Sequence, residues 1–140
     1  MPVLTSVLLV DDDSTTNFLN KLLLTRMGIA EQVLVAENGE QALRTLDQMC
    51  NTSADSASAC PRLILLDMNM PVLNGLAFLE AYVRMHLVHQ PAIVIVMLTT
   101  SLHPVDLART QELPIAGFLS KPLTKEKVTA ILAEHFPSPE

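Results

Sequence analysis

Five short apolar runs divide the chain, and the segments between them are either polar or show helical spacing. Uninterrupted apolar runs of this length are typical of strands buried on both faces of a sheet. The second run contains more polar residues, so we expect its strand to lie nearer an edge. The predicted strands cover residues 6–10, 31–36, 63–67, 92–98 and 115–120.

A helix is predicted after each strand. In the first of these segments, apolar residues recur near i, i+3 and i+4 from Phe18 to Met27, and Gly28 marks the end. Because strand and helix alternate five times, we predict an α/β fold with a parallel sheet, right-handed crossovers and helices on both faces. The other predicted helices cover residues 40–49, about 76–87, about 104–113 and, after a Thr124 cap, about 125–136.

Length, composition and charge narrow the class of protein. The chain has 140 residues, of which 49% are hydrophobic, so we expect residues 1–140 to form one domain with a full core. No apolar run approaches the roughly 20 residues of a membrane span, and the N-terminus lacks the basic region of a signal peptide. We therefore expect a cytoplasmic protein without membrane contact. The net charge of -6 and the nine scattered basic residues disfavour direct binding of nucleic acid.

Two cysteines, Cys50 and Cys60, flank a low-complexity polar segment. We interpret residues 51–61 as a surface insertion before the third strand. Because cytosolic thiols are kept reduced, we expect both cysteines to be free, with a disulfide as the less favoured alternative.

Polar residues stand where four of the predicted strands end. Asp11 and Asp12 follow the first strand, Asp67 ends the third, Thr99 follows the fourth and Lys121 follows the fifth. In a parallel sheet, ligands bind beyond the carboxyl ends of the strands, at the point where the strand order reverses. We therefore expect these five side chains to share one site.

Three carboxylates in one site repel each other, by up to about 4 kcal/mol per pair at about 4 Å and an effective dielectric of 20. Either one of them has a raised pKa or a cation neutralises them, and a hard divalent ion such as Mg²⁺ suits oxygen ligands. Lys121 adds an ammonium and Thr99 a hydroxyl, which together indicate phosphoryl transfer. No His or Cys stands at a strand end, so the nucleophile would be a carboxylate.

Four motifs in order resemble the receiver domain of bacterial two-component response regulators, in its stand-alone, chemotaxis-regulator-like form. They are VDDD at 10–13, LDMNMPVLNG at 66–75, LTT at 98–100 and FLSKP at 118–122. The resemblance extends over about residues 7–136. It implies a flavodoxin-like, doubly wound sheet of five parallel strands in the order 2-1-3-4-5.

The resemblance also implies a phosphoacceptor and a metal site. Asp67 would accept a phosphoryl group from a phosphohistidine on a sensor histidine kinase or a histidine phosphotransfer protein. Asp12 and Asp67 would bind Mg²⁺, or Mn²⁺ in its place, together with the backbone carbonyl of Asn69, and Asp11 would act through a water molecule. Such a domain is not an enzyme on other substrates, but it takes part in its own phosphotransfer and dephosphorylation.

The remaining implied roles concern switching. Thr99 would hydrogen-bond the phosphoryl oxygen, Lys121 would pair with it, and Phe118 would be the switch aromatic that turns inward as Thr99 moves. The Lys121–Pro122 peptide would be cis. The output would be a protein contact, to a downstream target or a second copy, through the face formed by residues 104–136. Without the resemblance, Thr99 reads as a helix cap, Phe118 as core and Lys121 as a solvated charge.

Two alternatives from other classes stay open at this point. Asp11-x-Asp13-x-Thr15 also resembles the first motif of haloacid-dehalogenase-type phosphatases, with Asp11 as nucleophile and Asp13 as acid/base. That family needs a further acidic pair at a strand end after the lysine, and none is present here. The second alternative is a receiver-like binding module that is never phosphorylated, which failure to bind Mg²⁺ would favour.

Overall fold

The computed structural model describes residues 4–50, 60–67, 75–85, 93–99 and 115–136. The strands are β1 (Leu4–Val10), β2 (Ala30–Ala36), β3 (Leu63–Asp67), β4 (Val94–Thr99) and β5 (Gly117–Ser120). The helices are α1 (Ser14–Met27), α2 (Gly39–Cys50), α3 (Gly75–Arg84) and α4 (Lys125–His135). Within these ranges strands and helices alternate from β1 to β4, as the hydrophobic pattern predicts, and β5 is followed by a final helix.

The helix predicted near residues 104–113 lies outside the described residues, as do most of the insertion at 51–61 and Asn69. Among the helices that the structure describes, none has both the length and the apolar composition needed to cross a bilayer.

The strands form one parallel sheet in the order β2-β1-β3-β4-β5, which confirms the predicted topology. The chain moves from β1 outward to β2 and then returns to the other side of β1, where β3 pairs with it. In that pairing Val10 lies opposite Leu66. The strand order therefore reverses between β1 and β3, and the residues after Val10 and Leu66 meet at the carboxyl edge of the sheet.

Alternate residues of the central strands pack into two separate layers. One layer joins β1 and β3 to α2 and α3, and the other joins them to α1 and α4. This explains why the central strands read as continuous apolar runs rather than as alternating ones. The first layer includes Leu8, Val10, Ile64, Leu66, Ala42, Leu46, Phe78 and Tyr82. The second includes Val7, Leu9, Leu63, Leu65, Leu24, Val128, Ile131 and Leu132.

Helix α1 has the predicted ends, but its apolar stripe does not define its buried face. Gly28 ends it in the left-handed conformation, with φ 65°. Asn17 and Asn20 are buried, whereas Phe18 and Leu19 are 65% and 56% exposed. The face of the helix that packs inward carries Leu24, and near its N-terminus the Asn17 side chain donates to the carbonyl of Asp11 at 2.8 Å. Phe18 and Leu19 belong to the apolar spacing that predicts the helix, but they are not core positions.

Cys50 and Cys60 form a disulfide, so the expectation of free thiols is wrong. That expectation rested on the cellular compartment and not on geometry. Because α2 ends beside the start of β3, the Cα atoms of the two cysteines lie 4.7 Å apart. Both side chains are buried in the layer that contains α2 and α3.

Candidate functional site

Three carboxylates meet where the strand order reverses. Asp11 follows β1, Asp12 is next in the chain, and Asp67 is the last residue of β3. One carboxylate oxygen from each lies within 4.8 Å of the others. Asp11 and Asp67 are buried and Asp12 is exposed. This acidic cluster of Asp11, Asp12 and Asp67 could hold a metal ion, which the strand-end argument predicted.

Lys121 links two members of the acidic cluster. Its Nζ lies 3.0 Å from Asp11 Oδ2 and 3.1 Å from Asp67 Oδ1. Burial acts to lower the pKa of Lys121, but the hydrogen bonds and charges of Asp11 and Asp67 outweigh it, so its pKa is raised above the ordinary 10.5. Lys121 is therefore a fixed cation at neutral pH. Three carboxylates against one ammonium still leave the site with a negative formal charge.

Asp11 is held by several contacts from its own neighbourhood. Its backbone N–H donates to Ala36 of β2 at 3.1 Å, so the strand pairing continues to the rim. The backbone N–H of Asp13 donates to Asp11 Oδ1 at 2.9 Å. The carbonyl of Asp11 accepts the bond from Asn17. Asn17 was not predicted as part of the site. Its spacing from Asn20 and Leu24 places two asparagines on the buried face of α1, which indicates polar contacts there.

Asp13 has a different task from its two neighbours. It is the N-cap of α1: its Oδ1 accepts from the backbone of Thr15 at 3.0 Å and of Thr16 at 3.4 Å. Its Oδ2 accepts from the Thr16 hydroxyl at 3.0 Å. The hydrogen bond from Thr16, followed by that from the Thr15 backbone, lowers the pKa of Asp13 below 3.8. A carboxylate occupied in this way does not fit the acid/base role of the phosphatase alternative.

The other predicted site residues come from β4 and β5. Thr99 is buried at the end of β4 and pairs in register with Ser120. Its carbonyl accepts the backbone N–H of Lys121 at 2.8 Å, so the two residues lie side by side at the rim. Phe118 is partly buried against the layer that contains α2 and α3. The Lys121–Pro122 peptide is cis, as the resemblance implied.

A cavity of about 460 Å³ opens beside Lys121, between α1 and the start of α4. It extends from the site toward the exposed face of α1, where Leu19 contributes to its wall. It is lined by Thr16, Leu19, Asn20, Leu23, Leu98, Lys121, Pro122 and Leu123.

A flavodoxin-like sheet with an acidic cluster that could hold a metal ion at its switch point defines a class of α/β domain suited to phosphoryl chemistry. Residues 7–133 match the family described as "Response regulator receiver domain", and the chain belongs to this family. The protein is thus a response regulator receiver domain of two-component systems. Receiver domains of response regulators interact with histidine kinases and downstream targets, and they are generally not catalytic enzymes.

Individual relatives agree with the assignment. Chemotaxis protein CheY1 of Helicobacter pylori (strain J99) is 31% identical over 130 residues, which cover 90% of this chain and 95% of that protein. Transcriptional regulatory protein CpxR of Escherichia coli (strain K12) is 35% identical over 124 residues, which cover 89% of this chain. The match spans only 46% of that regulator.

Solved structures show the same architecture. A two-component response regulator from Cytophaga hutchinsonii superposes with a TM-score of 0.80 at 27% identity, covering 99% of this chain and 100% of that one. Chemotaxis protein CheY4 of Vibrio cholerae superposes with a TM-score of 0.74 at 28% identity, covering 96% and 100%. These findings favour the receiver interpretation over the phosphatase alternative.

Proposed function

We propose that Asp67 is the phosphoacceptor of this receiver domain and that it takes its phosphoryl group from a phosphohistidine. The main support is the position of Asp67: its Oδ1 is 3.1 Å from the Lys121 ammonium, while another side of it faces Asp11 and Asp12 within 4.8 Å. Because β3 lies between β1 and β4, a group on Asp67 is reached from both neighbouring strands. Asp11 also contacts Lys121, but it follows β1, which pairs with β2 and β3 and not with β4, the strand that ends at Thr99.

The donor set fits a hard divalent cation. All three side chains offer oxygen ligands. The negative charge that remains after pairing with Lys121 favours binding of a cation and disfavours binding of an anion. Asp12 and Asp67 would hold Mg²⁺, or Mn²⁺, with the backbone carbonyl of Asn69, and Asp11 would contribute through water. When bound, the ion supplies positive charge that offsets the oxygens of the transferring phosphoryl group.

The transfer itself exchanges two bonds. An Asp67 carboxylate oxygen forms a bond to phosphorus as the phosphorus–nitrogen bond of the donor imidazole breaks, and the imidazole leaves. Lys121 keeps a positive charge beside the arriving oxygens, and Thr99 supplies a hydroxyl donor. Hydrolysis of the resulting acyl phosphate by the same pocket returns Asp67 to its carboxylate.

The change of charge on Asp67 is the signal. Lys121 and Thr99 follow the phosphoryl group, and Phe118, which packs against the layer that contains α2 and α3, changes its packing as they move. The face formed by residues 104–136 then contacts a downstream protein or a second copy. The proposal includes a cytoplasmic location, a single receiver domain over residues 1–140, and no direct contact with nucleic acid or membrane.

Labelling with acetyl phosphate tests the proposal. The chain is incubated with Mg²⁺ and acetyl phosphate, and the modified residue is mapped by mass spectrometry after reductive trapping of the acyl phosphate. We expect modification at Asp67 in the wild type, its loss in Asp67→Asn and upon chelation of Mg²⁺, and its retention in Glu31→Gln, an exposed control on β2. Modification at Asp11 instead would support the phosphatase chemistry. No modification together with no Mg²⁺ binding would support the unphosphorylated module.

A further inference from the structure

Lys127 makes an unusual set of contacts outside the acidic cluster. Its Nζ donates to the carbonyl of Ser120 at 2.7 Å, to the carbonyl of Pro122 at 2.9 Å and to the Ser120 hydroxyl at 3.2 Å. An ammonium has three N–H groups, which matches the three acceptors. All three acceptors belong to Ser120 and Pro122. These two residues lie on either side of Lys121, where the chain passes from the end of β5 into the turn before α4.

A lysine is unusual at the position that Lys127 occupies in α4. Thr124 is the N-cap of α4 and its hydroxyl accepts the backbone N–H of Lys127 at 3.3 Å. The third helical position is where a capping box places Glu or Gln, and a cation there opposes the helix dipole. Helix formation therefore does not explain this lysine. Residues that violate a local rule are expected at functional or strained sites.

The contacts of Lys127 fix the backbone on both sides of Lys121. Ser120 precedes Lys121 and Pro122 follows it, and both carbonyls converge on one ammonium. The backbone N–H of Lys121 itself donates to Thr99. The turn is thus tied to β4 and to α4, while the Lys121 side chain extends to Asp11 and Asp67.

We propose that Lys127 is a positioning residue that acts through Lys121, by holding the β5–α4 turn so that the Lys121 ammonium stays at the phosphoacceptor. The inference rests on the proposed function of Asp67. Lysine side chains are long and flexible, so a small shift of the backbone changes how often Nζ reaches its partners. With the turn fixed in advance, the counter-charge is in place before the phosphoryl group arrives.

Two measurements on Lys127→Met test the proposal, with Lys125→Met as the matched control. Lys125 carries the same charge two residues earlier on α4 and is exposed. We expect acetyl phosphate labelling of Asp67 at saturating Mg²⁺ to slow by about three- to tenfold in Lys127→Met and to be unchanged in Lys125→Met. Amide hydrogen exchange at Lys121, measured without phosphodonor, should accelerate by a similar factor. Lys127→Arg, which keeps the charge and donors, should recover at least half of the loss on a logarithmic scale.

A double-mutant cycle separates positioning from a general structural role. If Lys127 acts through Lys121, Lys127→Met should change the labelling rate less than twofold when Lys121 is already Met. If Lys127→Met slows labelling as much in the Lys121→Met background as in the wild type, the inference is overturned. It is also overturned if Lys127→Met alone shows wild-type rates of labelling and of amide exchange. Failure of wild-type protein to be labelled at Asp67 is a separate result that removes the proposed function itself, while the exchange rates at Lys121 still report on the turn.

Discussion

The Lys121 ammonium lies 3.1 Å from the Asp67 carboxylate, although Lys121 follows β5, Asp67 ends β3, and these two strands do not pair with each other. β4 lies between them, and its carbonyl at Thr99 holds the Lys121 backbone. The acid that we propose to be phosphorylated is therefore already paired with the cation that would accompany the phosphoryl group. Lys121 neutralises part of the acidic cluster and competes with a metal ion for it.

Lys121→Met should have opposite effects on metal binding and on phosphorylation. Without the ammonium, a divalent cation meets less repulsion, so Mg²⁺ affinity should rise several-fold, on the order of 1 kcal/mol after solvent screening. Labelling of Asp67 by acetyl phosphate should nevertheless slow, because the arriving oxygens lose their counter-charge. Isothermal calorimetry measures the first effect, and it suits a chain that has no tryptophan. Weaker Mg²⁺ binding in the variant would contradict this account of the pairing.

The same pair predicts a stability change at alkaline pH. The pKa of Lys121 is raised in the folded state above 10.5, so its charge contributes stability that is fully present below 10.5. That contribution is lost as the pH rises through the folded pKa. We expect the difference in melting temperature between wild type and Lys121→Met to be constant from pH 7 to 9 and to shrink above 10.5. A difference that grows with pH would have the wrong sign.

The strands that are buried on both faces are the elements that could be predicted best from the sequence. β1, β3 and β4 are covered on both faces, so their apolar runs have no other good placement, and the polar residues that end them meet as a consequence. The apolar spacing predicted that α1 is a helix but does not identify its inward face, which carries Asn17 and Leu24 and leaves Phe18 and Leu19 exposed.

Features that depend on the close approach of distant segments were beyond sequence reasoning. The Cys50–Cys60 bond follows from where α2 ends relative to β3, and composition carries no information on that distance. The contacts of Lys127 depend on the path of the turn after β5, and a lysine in the first turn of a helix is otherwise read as a solvated charge. Asp13 and Ser14 are both residue types that cap helices, and only the hydrogen bonds of the structure select Asp13.

Removal of the Asp13 cap should lower stability in a pH-dependent way. The pKa of Asp13 is depressed below 3.8, so its contribution is present above that value and is lost as the pH falls through the folded pKa. Asp13→Ala should lower the melting temperature by about 2–4 °C at pH 7. The deficit relative to wild type should narrow below pH 3.8, whereas Ser14→Ala should show no such trend. An equal deficit at pH 7 and pH 3 would indicate that the charged cap is not its source.

Breaking the Cys50–Cys60 bond should destabilise the fold without slowing phosphorylation. The bond closes a loop of 10 residues, for which the loop-entropy relation gives about 3 kcal/mol. Both cysteines lie at the end of β3 opposite Asp67, so the acidic cluster should keep its geometry. Thermal unfolding of wild type with and without a phosphine reductant measures the cost. The Cys50→Ala, Cys60→Ala double variant should be insensitive to reductant and should label at the wild-type rate.

Asn17→Ala should weaken both the fold and the metal site, because Asn17 joins α1 to the carbonyl of Asp11 from a buried position. Its Oδ1 has no hydrogen-bond partner within the part of the chain that the structure describes, so the bond lost there is the one from Nδ2 to Asp11. Loss of this buried bond should cost about 1–3 kcal/mol of unfolding free energy. Because this carbonyl is part of the Asp11–Asp12 peptide, its loss of an anchor should let both carboxylates shift, and Mg²⁺ affinity should fall several-fold. Lys21→Ala, on the exposed side of α1, is the control. Lower stability with unchanged Mg²⁺ affinity would confine Asn17 to anchoring the helix and leave the orientation of Asp11 to its other contacts, with Ala36, Asp13 and Lys121.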